Sequence, residues 1–306
     1  MLLIAYAIMS RSEKDRDKRS HYRPEMQAIN IPDRNLPYLR TLGRFYRPFG
    51  RGIAGFTSKR FLVLMYHSVG STKHAVKPAD FAAQMSFLNE HGNVIDLVAL
   101  IKGEGWRCER RLVCAITFDD GYMSVHDEAF PLLCRYRFPA TVYITTSALR
   151  ADQNSRSDES PYLLPGERML SWSQCREMAV HDITIGSHLC HHLDLARLPV
   201  TCAAAELKGS KFEIEDRLGK VCKHFAFPWG RYTHRMLDLV PECGYETAAT
   251  VIHRPLAEPV DPLRIPRMNI GPGYTLDDFR AVLEGDWDYL GIIQAVKQPR
   301  RSRPRE

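Results

Sequence analysis

The chain has 306 residues, 44% of them hydrophobic and 25% charged, and a formal net charge of +6. This is the composition of a soluble globular protein, with length for one large domain or two small ones and a sizeable core in either case. It excludes a small scaffold held by disulfides: the eight cysteines form no CxxC pair, and they fall in strand-like (Cys114) or helix-like (Cys134, Cys175, Cys202) runs, as free thiols do.

Charge divides the chain. Basic residues crowd positions 11 to 60 and the end, VKQPRRSRPRE, whereas the middle is close to balanced. Basic ends of this kind are usually solvated, and no recognised nucleic-acid-binding module accompanies them, so no nucleic acid is expected as a partner. The opening MLLIAYAIMS is apolar but too short to span a bilayer, and its charges follow the apolar run instead of preceding it. A cytoplasmic protein is expected, with peripheral membrane contact through the basic N-terminal arm as an open alternative.

Three parts follow. Residues 1–57, broken by Pro32, Pro37, Pro48 and glycines, read as a loose basic arm with at most a short helix. Residues 58–290 alternate strand and helix signals. RFLVLMYH (60–67) is a buried type of strand, and PADFAAQMSFLNEHG (78–92) carries Phe81, Met85 and Leu88 on one helical face and stops at glycine. RLVCAITF (111–118) is a second strand, HDEAFPLLCRY (126–136) a helix, and ATVYITT (140–146) a third strand. Residues 150–168 read as a loop. SWSQCREMAV (171–180) is a helix with a cap-like serine, ITIGS (183–187) a strand, and AAAELKGSKFEIEDRLG (203–219) a helix. KHFAFP (223–228) and YETAATV (245–251) are further strands. Residues 291–306 read as a disordered basic tail. Alternation of this kind implies a parallel sheet covered by helices, either a barrel or an open doubly wound sheet. In both, function gathers at the C-terminal ends of the strands.

Those ends carry DDGY (119–122), SHLCHH (187–192), PWG (228–230) and YHSV (66–69). Adjacent carboxylates with histidines four apart, His188 and His192, can form a metal site, since that spacing brings two imidazoles to one side of a helical turn. One Asp and two His leave coordination positions open, which suits a catalytic centre, and the other Asp is free to act as a base. His191 could replace one of the pair, and Cys190 is a possible soft ligand.

The combination resembles the polysaccharide deacetylases, the NodB-homology carbohydrate esterases of family four. TFDDGY resembles their first motif, GSHLCHHLDL the second and FAFPWG the third, over roughly residues 60–270. The resemblance implies a distorted (β/α) barrel of about seven strands and a hydrolase that removes acetyl groups from N-acetylated sugars of a polysaccharide, oligosaccharide or glycan precursor. It implies a divalent cofactor, zinc in the first place. By motif position, Asp119 would be the base and Asp120, His188 and His192 the metal ligands. Pro228 and Trp229 would line the sugar groove, and the backbone N–H of Tyr122 would help to hold the oxyanion.

Two positions depart from the motifs. Leu189 stands where Ser or Thr is usual, and Ala226 where many members have an arginine that orients the base. A subgroup with FAxPxG has a later arginine, as in LRIPRMNI, which makes Arg267 the candidate. The late Leu-x-His that supplies the proton donor has no good match. The poly-N-acetylglucosamine deacetylase subgroup, which resembles a circular permutation, has its acid histidine in an N-terminal YH. His67 is therefore expected as the general acid in preference to His253. An amidase acting on another C–N bond, or an inactive carbohydrate-binding relative, are the alternatives.

Overall fold

The computed structural model describes residues 36–37, 40–43, 59–107, 109–149, 163–164 and 166–297. Among these, eight strands form one parallel sheet. In chain order they are β1 (Arg60–Tyr66), β2 (Gly92–Val94), β3 (Leu112–Phe118), β4 (Ala140–Ile144), β5 (Ile183–Ser187), β6 (His224–Ala226), β7 (Thr247–Ala249) and β8 (Met268–Asn269). Across the sheet they run β7-β6-β5-β4-β3-β1-β8, with β2 paired to β3. The helices between them are α1 (Pro78–His91), α2 (Leu97–Ile101), α3 (Phe130–Tyr136), α4 (Trp172–Ala179), α5 (Val200–Leu218) and α6 (His234–Glu242), and β8 is followed by α7 (Leu276–Glu284) and α8 (Tyr289–Lys297).

The segment 265–269 touches both edges of this sheet. Ile265 bridges Ala249 at the end of β7, while Met268 and Asn269 pair with Leu64 and Met65 of β1. The seven strands of the main path, with β2 set beside β3 off that path, thereby form the distorted (β/α) barrel of about seven strands that the family resemblance implied. Strand residues alternate between two cores, as the two-residue period requires. Leu62, Leu64, Tyr66, Cys114, Ile116 and Phe118 pack outward against helices, with Phe81, Met85 and Leu88 of α1 fully buried among them. Burial of each such large side chain stabilises the fold by about 1.5–3 kcal/mol. Phe61, Val63, Val113, Ala115, Tyr143, Ala226, Ala249 and Ile265 fill the interior, and α2 contributes Leu97 and Leu100 to that inner cluster. Three of these inner residues are alanines, which leaves room for larger polar side chains nearer the rim.

Local signals account for the helix ends. Pro78 opens α1 without sacrificing a hydrogen bond, Ser171 and Gln174 form a capping box on α4, and α5 stops at Gly219 with φ 64°. The helix expected at 126–136 is subdivided: a π-helical turn, Val125–Ala129, runs into α3, with Pro131 in the first turn of the regular helix. The expected tail begins too early at 291. Residues 291–297 belong to α8, because Leu290 and Ile293 are buried there and Gln294 accepts from His253 N–H and donates to Val251 C=O. In the arm, residues 36–37 and 40–43 are helical, Leu36 is buried in the outer core, and Arg40 pairs with Asp278 of α7 at 2.6 Å. The remaining residues of the arm up to 58, together with 298–306, lie outside the described residues. The seven described cysteines are all free, and no helix among the described residues is long and apolar enough to cross a membrane.

Candidate active site

Period-two alternation puts Asp119 on the inner face of β3, in step with Ala115 and Thr117. His67 follows Met65 on the inner face of β1 by the same rule. Tyr66 and Phe118 are register partners, so His67 and Asp119 leave neighbouring strands at the same level. Asp119 is buried, and its two oxygens accept from the two terminal nitrogens of Arg267 at 2.6 and 2.7 Å. Arg267, itself fully buried, also donates to Thr117 Oγ1 (3.2 Å) and Thr250 C=O (2.8 Å), and its guanidinium lies 5.5 Å from the centre of the Tyr143 ring. The closing segment thus carries an arginine into the barrel directly over the end of β3. Burial would raise the Asp119 carboxyl, but Arg267, helped by His188 and His67, outweighs it and holds the pKa below the usual carboxylate range.

Asp120 does not continue the strand. Its φ is 73°, and Gly121 follows at 87°, where a Cβ would sit 3.1 Å from Ile144 Cγ2 and a larger residue would not fit. This turn separates the two carboxylates. Asp120 faces His188 and His192, whose Nε2 atoms lie 3.4 and 3.2 Å from its Oδ1. The two histidines do not sit on a helical turn, as their spacing suggested. His188–His192 is an irregular loop, and left-handed residues, Leu189 at φ 71° and His192 at 52°, turn both rings inward. Six described non-glycine residues have positive φ, and four of them are here: Asp120, Leu189, His192 and Trp229. Backbone strain on this scale is kept only where surrounding contacts enforce it. Here His188 N–H donates to Ile144 C=O, Thr146 N–H to Leu189 C=O and Ser147 N–H to Cys190 C=O.

His188 Nδ1 lies 2.8 Å from Ala226 C=O. A carbonyl can only accept, so Nδ1 carries the proton and the lone pair of the neutral ring is on Nε2, aimed at Asp120. Asp120 Oδ1 is buried with no hydrogen-bond donor of suitable geometry, and His192 Nδ1 is likewise without a partner. Lone pairs facing one another in a buried place are costly unless a cation lies between them. One ligand atom from each of Asp120, His188 and His192 lies within 4.8 Å of the others. This donor set fits a divalent ion with positions left open. Burial would raise Asp120, yet the two histidines hold it well below the carboxylate range. Burial opposes charge on His188, but Asp120 and Asp119 prevail and its pKa rises. At His192 burial prevails over Asp120, and the pKa falls.

The remaining candidates are distributed around this centre. Trp229, half-buried, meets the His192 ring edge to face at 4.5 Å and 78°. Pro228 is buried beneath the turn, so of the pair only Trp229 offers surface to a ligand. Tyr122 is fully buried, in a small cluster with Leu163 and Met169, and its hydroxyl accepts from Leu164 N–H. His67 is half-buried and acts electrostatically on both Asp119 and Asp120. His253 is elsewhere: it is buried near Arg60, at the opposite end of β1, and burial pushes its pKa down to about 4. His191 points away from the centre, with Nδ1 2.7 Å from Glu206 Oε1. Sequence reading overlooked the Ala226 carbonyl, which fixes the His188 tautomer; a main-chain acceptor leaves no mark on residue type. It also overlooked Glu167, which accepts from Ser68 and Thr72 and ties the loop after His67 to the segment before α4.

Known proteins resemble this chain in sequence and in fold. The polysaccharide deacetylase family model matches residues 107–248. YxkH of Bacillus subtilis, a protein named for the same family, is 26% identical over 72% of this chain and 75% of its own length. A poly-β-1,6-N-acetyl-D-glucosamine N-deacetylase of Staphylococcus epidermidis is 23% identical over 74% of this chain and 77% of its own. The deacetylase PplD of Streptococcus pyogenes, solved with acetate, shares the fold with a TM-score of 0.62 at 20% identity, covering 74% of this chain and 99% of that one. Residues 107–248 thus match the polysaccharide deacetylase family, and the similar proteins include a member of the poly-N-acetylglucosamine deacetylase subgroup that the N-terminal YH resembles.

Proposed function

We propose that this chain is a metal-dependent carbohydrate N-deacetylase, which hydrolyses the acetamide of N-acetylated sugars to acetate and a free amine. The observation that carries this reading is the division between adjacent carboxylates: Asp119 is clamped by Arg267, and Asp120 faces the Nε2 atoms of His188 and His192. Asp120, His188 and His192 would hold the divalent ion, zinc in the first place, which supplies Lewis-acid polarisation of the acyl oxygen and acidifies water.

The chain's own groups then have separate tasks. Arg267 occupies one lone pair on each Asp119 oxygen and leaves another on each, so Asp119 remains an acceptor with a fixed direction. It takes the proton as water attacks the acyl carbon. The backbone N–H of Tyr122 donates to the developing oxyanion. His67, entering from the neighbouring strand end, gives a proton to the sugar nitrogen as the C–N bond breaks, because an amine anion is a very poor leaving group. Trp229 offers a wall to the sugar.

The test is acetate release from N-acetylated hexosamine oligomers and lipid-linked glycans, before and after chelation. We expect release that chelator abolishes and added Zn²⁺ restores. No release from any N-acetylated sugar, or release indifferent to chelator, would overturn the reading.

A further inference from the structure

The loop that turns His188 and His192 inward keeps Leu189 buried and turns the next two residues outward. Cys190 and His191 face α5, where Glu206 lies. Cys190 Sγ, a His191 ring nitrogen and a Glu206 carboxylate oxygen all lie within 4.8 Å of one another. Glu206 is held in place: its Oε2 accepts from His191 N–H at 3.0 Å while Oε1 faces Nδ1. Cys190 is held as well, since Ser147 donates to its carbonyl from both N–H and Oγ. Gly209, one turn along α5 from Glu206, makes room for the thiol, because a Cβ there would stand 3.0 Å from Cys190 Sγ. A glycine inside a helix costs about 1 kcal/mol relative to alanine, so the space is not free of expense to the fold.

We infer that Cys190, His191 and Glu206 form a second, outer metal site for a thiophilic divalent ion of the zinc class. A thiolate, an imidazole and a carboxylate select Zn²⁺ or Co²⁺ over Mg²⁺ or Ca²⁺, which prefer all-oxygen sets. With both acidic ligands ionised, a divalent ion is neutralised there. Three protein ligands leave one position of a tetrahedron to water. The outer site is accessible: the His191 side chain is 60% exposed. It shares its loop with the inner ligands, so an outer ion also restrains His188 and His192 by tying that loop to α5.

Co²⁺ titration of the full chain tests this, since a thiolate ligand gives a charge-transfer band in the near ultraviolet. Starting from protein with its inner site loaded, we expect one further equivalent of Co²⁺ with that band. Cys190→Ser should lose both the band and that equivalent, and Glu206→Gln should weaken it. Both variants should keep the first equivalent, which shows that they are folded. A single equivalent without the band, or a second that persists unchanged in Cys190→Ser, would overturn the inference. His188→Ala separates the two sites. It should retain the thiolate band while losing the inner ion; if it keeps its full complement, the inner assignment fails and the outer one stands.

Discussion

The barrel has a bidentate arginine–aspartate pair at each end. At the N-terminal end of β1, Arg60 grips Asp288 at 3.0 and 2.8 Å, and the two side chains are 15% and 24% exposed. At the C-terminal end of β3, Arg267 grips Asp119 at similar distances with exposures of 0% and 4%. The contacts are alike and the consequences are not. Water reaches part of the lower pair and screens it, so its net contribution is small beside the cost of leaving a fully buried charge unpaired. The upper pair is desolvated, and a buried pair is weak as a device for stability, because an apolar replacement of similar volume is often as good. What the upper pair provides is a carboxylate that stays ionised and aimed beside a cluster of histidines. Positive-φ residues cluster at the same end. The difference between the rims therefore marks where the fold serves chemistry.

The comparison can be broken in steps. The largest effect is expected from His188→Ala, which should lose the inner ion and turnover together; stoichiometric metal in that variant would remove His188 from the ligand set. Next is Arg267→Met. It leaves Asp119 buried and unpaired, and should cost about 3–5 kcal/mol of stability. Adding Asp119→Asn to it should recover part of that loss in denaturant unfolding. Arg267→Lys should not substitute, since one ammonium cannot span both carboxylate oxygens. The pH dependence follows from the same pair. The folded pKa of Asp119 lies below its unfolded value, so its ionisation contributes stability above the unfolded carboxylate range and loses it as pH falls through the folded pKa. The Asp119→Asn, Arg267→Met double variant should lack that part of the acid sensitivity.

His67→Ala should keep metal and fold, lower turnover on the order of 10²-fold and flatten the alkaline limb of the pH–rate profile. His253→Ala should leave that limb in place. If the profiles changed the other way, the acid would have to be sought at the other rim. The smallest effect is expected below. Asp288→Asn should cost about 0.2–1 kcal/mol and leave turnover alone. A loss there as large as that of Arg267→Met would erase the contrast between the rims.

Much of the barrel was legible because buried parallel strands are long apolar runs, as in RFLVLMYH and RLVCAITF, and because their ends carry the polar motifs. The closing strand was not. It is two residues long, Met268–Asn269, and Pro266 beside it reads as a breaker. Helix α7 was missed although Thr275 and Asp278 form a capping box and Gly285 ends it at φ 90°. The ligand spacing was legible but its geometry was not: four residues suggested a helical turn, and left-handed backbone at Leu189 and His192 performs the convergence instead. No residue type announces that conformation, since leucine rarely adopts it. The direction of Arg267 depends on which edges a short segment joins, a long-range property that local pattern does not encode.

The central claim is that neighbouring aspartates do different work, and the most direct measurement compares Asp119→Asn with Asp120→Asn for bound metal and turnover together. Asp119→Asn should retain the ion and lose about 10²–10⁴-fold in turnover. Asp120→Asn should lose the ion, and its turnover should return in part as Zn²⁺ is raised. Equal metal loss in both variants, or near-normal turnover in Asp119→Asn, would contradict the account.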